Sequence, residues 1–258
     1  MNDWQSEYAE IASLAGGFAH EIRNPLSTIL LNVDLLAEDL ADPQSPRERR
    51  MATKLDRVRL QCQNLERVVE SFLQFSRVGQ TDAAPGDLAV VITDYLDEVE
   101  AETAAAGVEL SPHIAPDLPS VWLDAGLFRQ VLSNLVRNAR QAMPGGGTLE
   151  VGARSVQNEV LVEVIDNGCG MTPEQRSRMF EAFYSTKTGG TDGASGTGLG
   201  LPTVRKIVEA HGGRIDCESE PGRGTRFRIW LPAVAPSDSS AHQPANDHSH
   251  QKSDSATS

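Results

Sequence analysis

The chain of 258 residues carries a formal net charge of -13, which argues against nucleic acid or an anionic membrane surface as its main partner. Its length has room for about two domains, and a hydrophobic fraction of 39% is ordinary for a folded protein. No apolar run approaches the roughly 20 residues of a transmembrane helix, so no membrane insertion is expected.

The cysteine content indicates the redox compartment. Cys62, Cys169 and Cys217 are odd in number and widely spaced, a pattern that favours reduced thiols over a disulfide framework or a metal site. The N-terminus does not resemble a signal peptide. We therefore expect a cytoplasmic protein.

The first predicted helix runs from near Glu7 to near Leu40 and presents His20 to solvent. Its apolar residues recur at helical spacing on one face, at Ile11, Ala15, Phe18, Ile22, Leu26, Ile29, Val33 and Leu36. At about 100° per residue, His20 lies on the opposite face, flanked by Glu21 and Asn24. An ordinary surface histidine is the alternative, but Pro25 is expected to bend the helix just after His20.

A second predicted helix follows a turn at residues 42–46 and carries a heptad seam, formed by Met51, Leu55, Val58, Cys62, Leu65, Val69 and Phe72. The two helices form an antiparallel hairpin, which has only a thin core of its own. Pairing two hairpins into a four-helix bundle would bury both seams. We therefore predict a homodimer through residues 7–77, with a hairpin packed on its own second domain as the alternative.

Composition divides the chain into four parts. Residues 1–78 form the helical domain, and the small, polar segment 79–86 is a linker. Residues 87–233 alternate between helix and strand patterns, which predicts an α+β sandwich with helices on one face of a mixed sheet. The tail, residues 234–258, is rich in Ser, Asp, Pro and His and is expected to be disordered.

The predicted elements of the sandwich follow in order. Helices are expected at Leu88–Ala105, from the N-cap Asp124 to about Met143, at a capping box that begins with Thr172, and at Leu199–Ala210. Strands are expected at Gly107–Ile114, Val121–Leu123, Thr148–Ala153, Glu159–Asp166, Arg214–Ser219 and Thr225–Leu231.

Three clusters in the sandwich are typical of a nucleotide site. Asn134 and Asn138 lie on one helical face, and neutral amide oxygens beside phosphates can hold Mg²⁺. Asp166 ends a strand before two glycines, where a carboxylate can accept hydrogen bonds from an exocyclic amine. Each cluster alone could be an ordinary surface or turn.

The third cluster is the glycine-rich segment 189–201, which resembles a phosphate-binding loop that leads into a helix N-terminus. Lys187, just upstream, could reach a terminal phosphate. The segment lacks the Gly-Lys-Ser/Thr end of a P-loop and is not a GxGxxG after a strand. A flexible linker is the alternative.

In combination the motifs resemble those of the sensor histidine kinases of bacterial two-component systems. They read His20–Pro25, Asn134–Ala139, Asp166–Gly170, Phe180–Phe183 and Gly196–Gly200. The resemblance covers about residues 7–232, and the sequence around Asn138 is most similar to that of the nitrogen-regulation-like branch.

The resemblance implies a dimerisation and histidine-phosphotransfer hairpin followed by a GHKL-type (Bergerat) ATP-binding domain. His20 would accept the γ-phosphoryl group of ATP, with Glu21 as general base or orienting carboxylate. The phosphoryl group would then pass to an aspartate in the receiver domain of a response regulator. Asn24 matches the position that orients water when such kinases dephosphorylate their partner, so dual activity is a hypothesis.

The resemblance also implies ATP and Mg²⁺ as cofactors. Asn138 would ligate Mg²⁺ with Asn134 beside it, and Asp166 would bind the adenine amine. The other implied nucleotide contacts are Gly168, Gly170 and Met171 around the base, Gly196, Thr197, Gly198, Leu199 and Gly200 in a mobile lid, and Thr225 at the floor of the site. Gln141 stands where many members carry a lysine, which leaves phosphate contacts to Arg137, Lys187 or neither.

The chain begins almost at the phosphorylated helix. We expect either a separate sensory protein to supply the input or a longer chain of which this is the core. The rival functions are a GHKL ATPase of chaperone, topoisomerase or mismatch-repair type, which would lack the His20 hairpin, and a dimeric scaffold with a degenerate ATP site.

Overall fold

The computed structural model of the protein describes residues 22–78, 81–186 and 196–234. The predictions made for His20, Glu21 and Lys187 therefore lie outside the described residues. The same holds for the start of the first helix and for the tail from residue 235 onward.

Two long helices form the predicted antiparallel hairpin. Helix α1 covers residues 22–39 in its described part, and helix α2 is Pro46–Arg77. Ser45 caps α2, because its hydroxyl accepts a hydrogen bond from the Glu48 amide at 3.2 Å. Ion pairs link the helices in antiparallel order, with Arg23–Glu70 and Arg59–Asp34 both at 2.7 Å.

The apolar seam of the hairpin is only partly buried within one chain. Cys62 is buried and Leu55 and Val69 are half-buried, whereas Val58 and Leu65 are exposed. The exposed large apolar side chains of the two helices are Ile29, Leu31, Leu35, Leu36, Met51, Val58, Leu65 and Val68. Two helices can cover each other along one narrow face only, so the rest of the apolar surface stays accessible.

A five-stranded mixed sheet forms the centre of the second domain. Its strands are β2 (Val108–Ile114), β4 (Gly147–Val156), β5 (Glu159–Asp166), β6 (Arg214–Glu220) and β7 (Gly224–Pro232), in the spatial order β2-β4-β5-β7-β6. The β2–β4 pair is parallel and the other pairs are antiparallel. The predicted mixed sheet is confirmed.

Helices pack on one face of this sheet. They are α3 (Leu88–Ala105), α4 (Ala125–Ala142), the short α5 (Pro173–Arg178) and α6 (Gly200–Ala210). Local capping sets the starts of α3, α4 and α5, because the side chains of Asp87, Asp124 and Thr172 accept hydrogen bonds from first-turn amides. The predicted N-cap at Asp124 and the capping box at Thr172 are confirmed.

The core lies between this helical layer and the sheet. Phe128 and Leu132 from α4 and Ile207 from α6 are fully buried against Val162 and Ile229 of the sheet. Val162 and Ile229 are register partners, so their side chains point to the same face. The adjacent register partners Glu163 and Arg228 lie on the other face of the sheet.

The segment before α3 differs from the prediction. Ala84–Gly86, assigned to the linker from its composition, forms a strand β1 that pairs antiparallel with β3 (Val121–Leu123). The pairing partner lies far along the chain, so local composition does not reveal it. Within the described residues, no helix has the length and apolar content needed to cross a membrane.

Thr103, in the last turn of α3, is fully buried and its hydroxyl has no hydrogen-bond partner among the described residues. A buried unsatisfied hydroxyl costs about 1–3 kcal/mol. We therefore expect Thr103→Val, which keeps the shape of the side chain, to raise the free energy of unfolding by about 1 kcal/mol in urea denaturation.

Thr203→Val is the matched control for this prediction. Thr203 is also buried, but its hydroxyl donates to the Leu199 carbonyl at 2.6 Å. The same substitution there should lower the free energy of unfolding. Destabilisation of both variants to the same extent would contradict the interpretation of Thr103.

Candidate nucleotide-binding site

A cleft of about 430 Å³ lies where α2, α4, the turn after β5 and the start of α6 meet. Most of the predicted nucleotide residues that the structure describes line it. They are Arg137, Asn138, Asp166, Gly170, Met171, Gly196, Thr197, Gly198, Gly200 and Thr225. The three sequence clusters, far apart along the chain, thus surround one cavity.

The two asparagines of α4 have different surroundings. Asn134 is buried, and its Oδ1 accepts a hydrogen bond from Nη2 of Arg137 at 2.6 Å. Asn138, one turn later, is half-buried and lines the cleft. Asn134 therefore orients the Arg137 guanidinium, while Asn138 forms part of the cavity wall.

Asp166 places a buried carboxylate at the inner end of the cleft. Only 7% of its surface is exposed, and Oδ1 accepts a hydrogen bond from the Gly168 amide at 2.9 Å. Burial raises the pKa of this carboxyl, and hydrogen bonds from the amides of Gly168 and Thr225 offset part of the shift. The site thus holds an acceptor group with few protein partners and little water.

The turn after Asp166 packs tightly against the loop between β6 and β7. Gly170 has φ +63, and a Cβ there would lie 2.0 Å from the Glu220 carbonyl oxygen, so only glycine fits. Ser219 joins the same segments, because its hydroxyl accepts from the Met171 amide and donates to the Gly224 carbonyl, both at 2.9 Å. Its oxygen also lies 3.0 Å from Thr225 Oγ1.

The described end of the glycine-rich segment is attached to the Phe180–Phe183 motif. The Phe183 amide donates to the Gly198 carbonyl at 3.0 Å. Gly198 has φ +68, and a Cβ there would lie 2.5 Å from the Phe183 carbonyl carbon. The segment therefore enters α6 at a fixed point on the rim of the cleft.

Helix α6 begins at this point, and its first turn offers the amides of Gly200 and Leu201, since Pro202 has no N–H. Leu199 precedes the helix and makes no side-chain cap hydrogen bond, so the first amides of α6 are not capped by that residue. Such a helix start favours an anion. It adjoins Gly196, Gly198 and Gly200, which line the cleft.

Several predicted site residues do not line the cleft. Asn134 is buried behind Arg137, Gly168 packs on Ala142, and Leu199 is fully buried beneath the lid end. Asn24 is exposed on α1. These residues support or flank the cavity, and their assigned roles stay predictions.

Sequence reasoning missed one whole wall of the cleft. Arg67, Glu70, Ser71 and Gln74 of α2 line it. Their spacing places them on one helical face, but that face looks like an ordinary charged surface in the sequence. Ser219 was missed as well, because a serine in a strand has no distinctive pattern.

The residues at the cleft fit Mg²⁺ shared with phosphates better than a metal site made by protein alone. Among the described residues, no group of three or more His, Cys, Asp or Glu side chains could hold a metal ion. Asn138 offers a hard oxygen ligand at the cleft wall. Mg²⁺ usually takes one or two protein ligands and completes its shell with phosphate and water oxygens.

Comparison with known proteins gives two family matches. Residues 123–235 match the histidine kinase-, DNA gyrase B-, and HSP90-like ATPase family, and residues 11–81 match the His Kinase A (phospho-acceptor) domain. Together they cover the sandwich cleft and the helical hairpin.

Similar curated proteins include two bacterial kinases. The sensor histidine kinase ZraS of Klebsiella oxytoca is 38% identical over 86% of this chain and 46% of its own length. Sporulation kinase E of Bacillus subtilis is 31% identical over 86% of this chain and 28% of its own length. The chain thus spans less than half the length of these relatives.

Two solved structures have a similar fold. Full-length ShkA in complex with AMPPNP matches 86% of this chain and 46% of that one, with a TM-score of 0.66 and 28% identity. The catalytic domain of histidine kinase ThkA matches 59% of this chain and 97% of that one, with a TM-score of 0.52 and 27% identity.

The surroundings of the three free cysteines predict selective alkylation. Cys169 is exposed and lines the cleft, whereas Cys62 and Cys217 are buried. Burial raises the pKa of Cys217 to about 12, and the thiolate is the reactive form. Iodoacetamide treatment of the folded protein should modify Cys169 first, as measured by peptide mass spectrometry. Equal rates at Cys169 and Cys217 would contradict the described packing.

Proposed function

Because the chain belongs to the sensor histidine kinases, we propose that it transfers the γ-phosphoryl group of ATP to His20 and then to an aspartate of a response regulator. The observation that carries the proposal is that three features line one cleft. They are the buried carboxylate of Asp166, the amide of Asn138, which could ligate Mg²⁺, and the uncapped start of α6 at Gly200. The match of residues 11–81 to a phospho-acceptor domain supports a histidine as the acceptor.

The adenine end of the site is assigned to Asp166. One carboxylate oxygen accepts from the Gly168 amide, and the other is assigned to the exocyclic amine of adenine. Gly168, Gly170 and Met171 shape the pocket around the base, and Thr225 forms its floor. A buried carboxylate that meets a donor discriminates strongly between bases, because a base that offers no donor there leaves it unsatisfied.

The phosphate end is assigned to Asn138, Arg137 and the start of α6. Gly196, Thr197, Gly198, Leu199 and Gly200 form the described part of the lid, and Lys187 is assigned to the terminal phosphate. Asn138 would hold Mg²⁺, which supplies charge neutralisation to the phosphates when bound. Positioning and electrostatic stabilisation account for most of phosphoryl-transfer catalysis.

The transfer step needs a neutral imidazole at His20. One ring nitrogen attacks the γ-phosphorus, a nitrogen–phosphorus bond forms, and the bond between the γ-phosphorus and the bridging oxygen breaks to release ADP. The imidazole proton passes to Glu21 or to water. A histidine near its ordinary pKa keeps the required lone pair at neutral pH.

The proposal includes a homodimer through residues 7–77. The exposed apolar side chains of α1 and α2, such as Leu36, Val58 and Leu65, support it because water contact with them is unfavourable. A response regulator, a sensory protein that controls the kinase and a cytoplasmic location complete the proposal. Removal of the phosphoryl group from the regulator, with Asn24 orienting water, is a further part of it.

The rival activity is ATP hydrolysis of the gyrase or HSP90 type. Those proteins share the ATPase family named for residues 123–235. The phospho-acceptor domain match over the hairpin favours the kinase.

The test is incubation with γ-labelled ATP and Mg²⁺, comparing the wild type with His20→Gln. We expect label on the wild type that is lost in acid, survives alkali and is absent from the variant. Persistence of the label in His20→Gln would remove the acceptor assignment. Nucleotide hydrolysis with no labelled protein would favour the rival ATPase.

The substitution Asp166→Asn should weaken ATP binding without lowering the stability of the fold. We expect the affinity for ATP to fall by about tenfold or more, because an amide N–H would face the adenine amine. The raised pKa of Asp166 means that folding disfavours its charge. Its contribution to stability therefore falls as pH rises from the ordinary carboxyl pKa to the folded-state value.

The variant should consequently be at least as stable as the wild type at neutral pH, and its stability should depend less on pH across that window. Calorimetric titration with ATP and urea denaturation at several pH values measure the two effects. Asp97→Asn, at an exposed position on α3, is the control. An Asp166→Asn protein that is stable and binds ATP as tightly as the wild type would contradict the adenine assignment.

A further inference from the structure

Helix α2 supplies a wall of the cleft, although it belongs to the hairpin. Arg67, Glu70, Ser71 and Gln74 face the cavity. Two contacts fix the helix at this place: Gln130 of α4 donates to Gln74 Oε1 at 3.0 Å, and Lys206 of α6 donates to the Phe75 carbonyl at 3.0 Å. The cleft is therefore complete only when α2 lies against the ATPase domain.

The aromatic ring of Phe75 strengthens the contact with Lys206. The Lys206 ammonium lies 4.2 Å from the centre of the Phe75 ring, within the range of a cation–π interaction. Val78, just after α2, is 1% exposed and belongs to the core of the sandwich. The C-terminal end of α2 is thus anchored, and Arg67 projects from a positioned helix.

Two arginines face the cleft from opposite elements. Arg67 projects from α2 and Arg137 from α4, and both line the cavity. Burial lowers the pKa of the Arg137 guanidinium, Tyr95 opposes that shift, and the charge of Arg67 adds to it.

Arg67 itself donates hydrogen bonds within α2 to the Gln63 carbonyl and to Asn64 Oδ1. Glu70, the carboxylate on the same wall, forms an ion pair with Arg23 at 2.7 Å. The cation pair therefore favours an anion between its members.

Arg137 also adjoins the uncapped start of α6. A Cβ on Gly200 would lie 3.6 Å from Arg137 Nη2 and 3.2 Å from Asn134 Oδ1. One side of the cleft thus presents a guanidinium and helix amides together, and the other side presents Arg67. This arrangement suits a phosphate chain, because several oxygens can be contacted from both sides.

We propose that Arg67 is a phosphate-binding residue of the nucleotide site, so that α2 and the ATPase domain hold the phosphates of ATP between them. The inference rests on the proposed function and adds a residue to that site. It also couples the site to the hairpin, because phosphates bound between Arg67 and Arg137 attract both guanidinium groups. Binding of a triphosphate therefore favours the packing of α2 on the domain.

The test compares Arg67→Ala, Arg67→Lys and the control Arg57→Ala in the full chain. Arg57 is exposed on α2 and does not line the cleft. Calorimetry measures the affinities for a Mg²⁺ complex of a non-hydrolysable ATP analogue and for adenosine. We expect Arg67→Ala to weaken binding of the analogue by about tenfold and to leave adenosine binding within about twofold, since adenosine has no phosphate.

Arg67→Lys should retain part of the affinity for the analogue, and Arg57→Ala should match the wild type. Thermal unfolding without nucleotide separates binding from structure. Arg67→Ala should leave the melting temperature nearly unchanged, because Arg67 is exposed and loses surface hydrogen bonds, such as those to Gln63 and Asn64 within α2. A structural role would instead lower its melting temperature and weaken both ligands equally.

An unchanged ratio of analogue to adenosine affinity in Arg67→Ala would overturn the inference. If the wild type still labels His20 in that case, the kinase assignment stands without Arg67. A wild type that binds neither ligand would overturn both proposals together.

Discussion

The cleft depends on the burial of one carboxylate. Asp166 ends β5 with 7% of its surface exposed, and the raised pKa of its carboxyl records the cost of that position. The backbone around it leaves no space for adjustment, because Gly170 and the Ser219 hydroxyl bind the turn to the loop before β7. A buried carboxylate that is held in one position is suited to recognising a ligand specifically, since a hydrogen bond that it accepts from the ligand is shielded from water.

The other end of the cleft presents positively charged side chains, whereas the Asp166 end presents a buried carboxylate. Arg137 is oriented by Asn134, and Arg67 reaches the same cavity from the hairpin. Because both guanidinium groups line one cavity, the proposed binding of phosphates between them would link the packing of α2 to what occupies the cleft. For the proposed transfer to His20, such coupling would bring the hairpin and the nucleotide together when ATP is present.

Local chemistry in the sequence predicted much of the sandwich. Helix α3 has the predicted bounds Leu88–Ala105, and Asp124 caps α4 as expected, because capping needs only neighbouring residues. Strand β1 was missed because residues 84–86 become a strand only through pairing with β3. The Arg67 wall was missed because tertiary packing decides which face of α2 meets the domain. The role of His20 and the nitrogen-regulation-like branch stay predictions.

The most direct measurement of the central claim is a crystal structure with Mg²⁺ and a non-hydrolysable ATP analogue. We expect the adenine amine at about 3 Å from the Asp166 carboxylate, with the phosphates at the start of α6 beside Arg137 and Asn138. Adenine bound elsewhere, or an Asp166 carboxylate that contacts only protein, would contradict that claim.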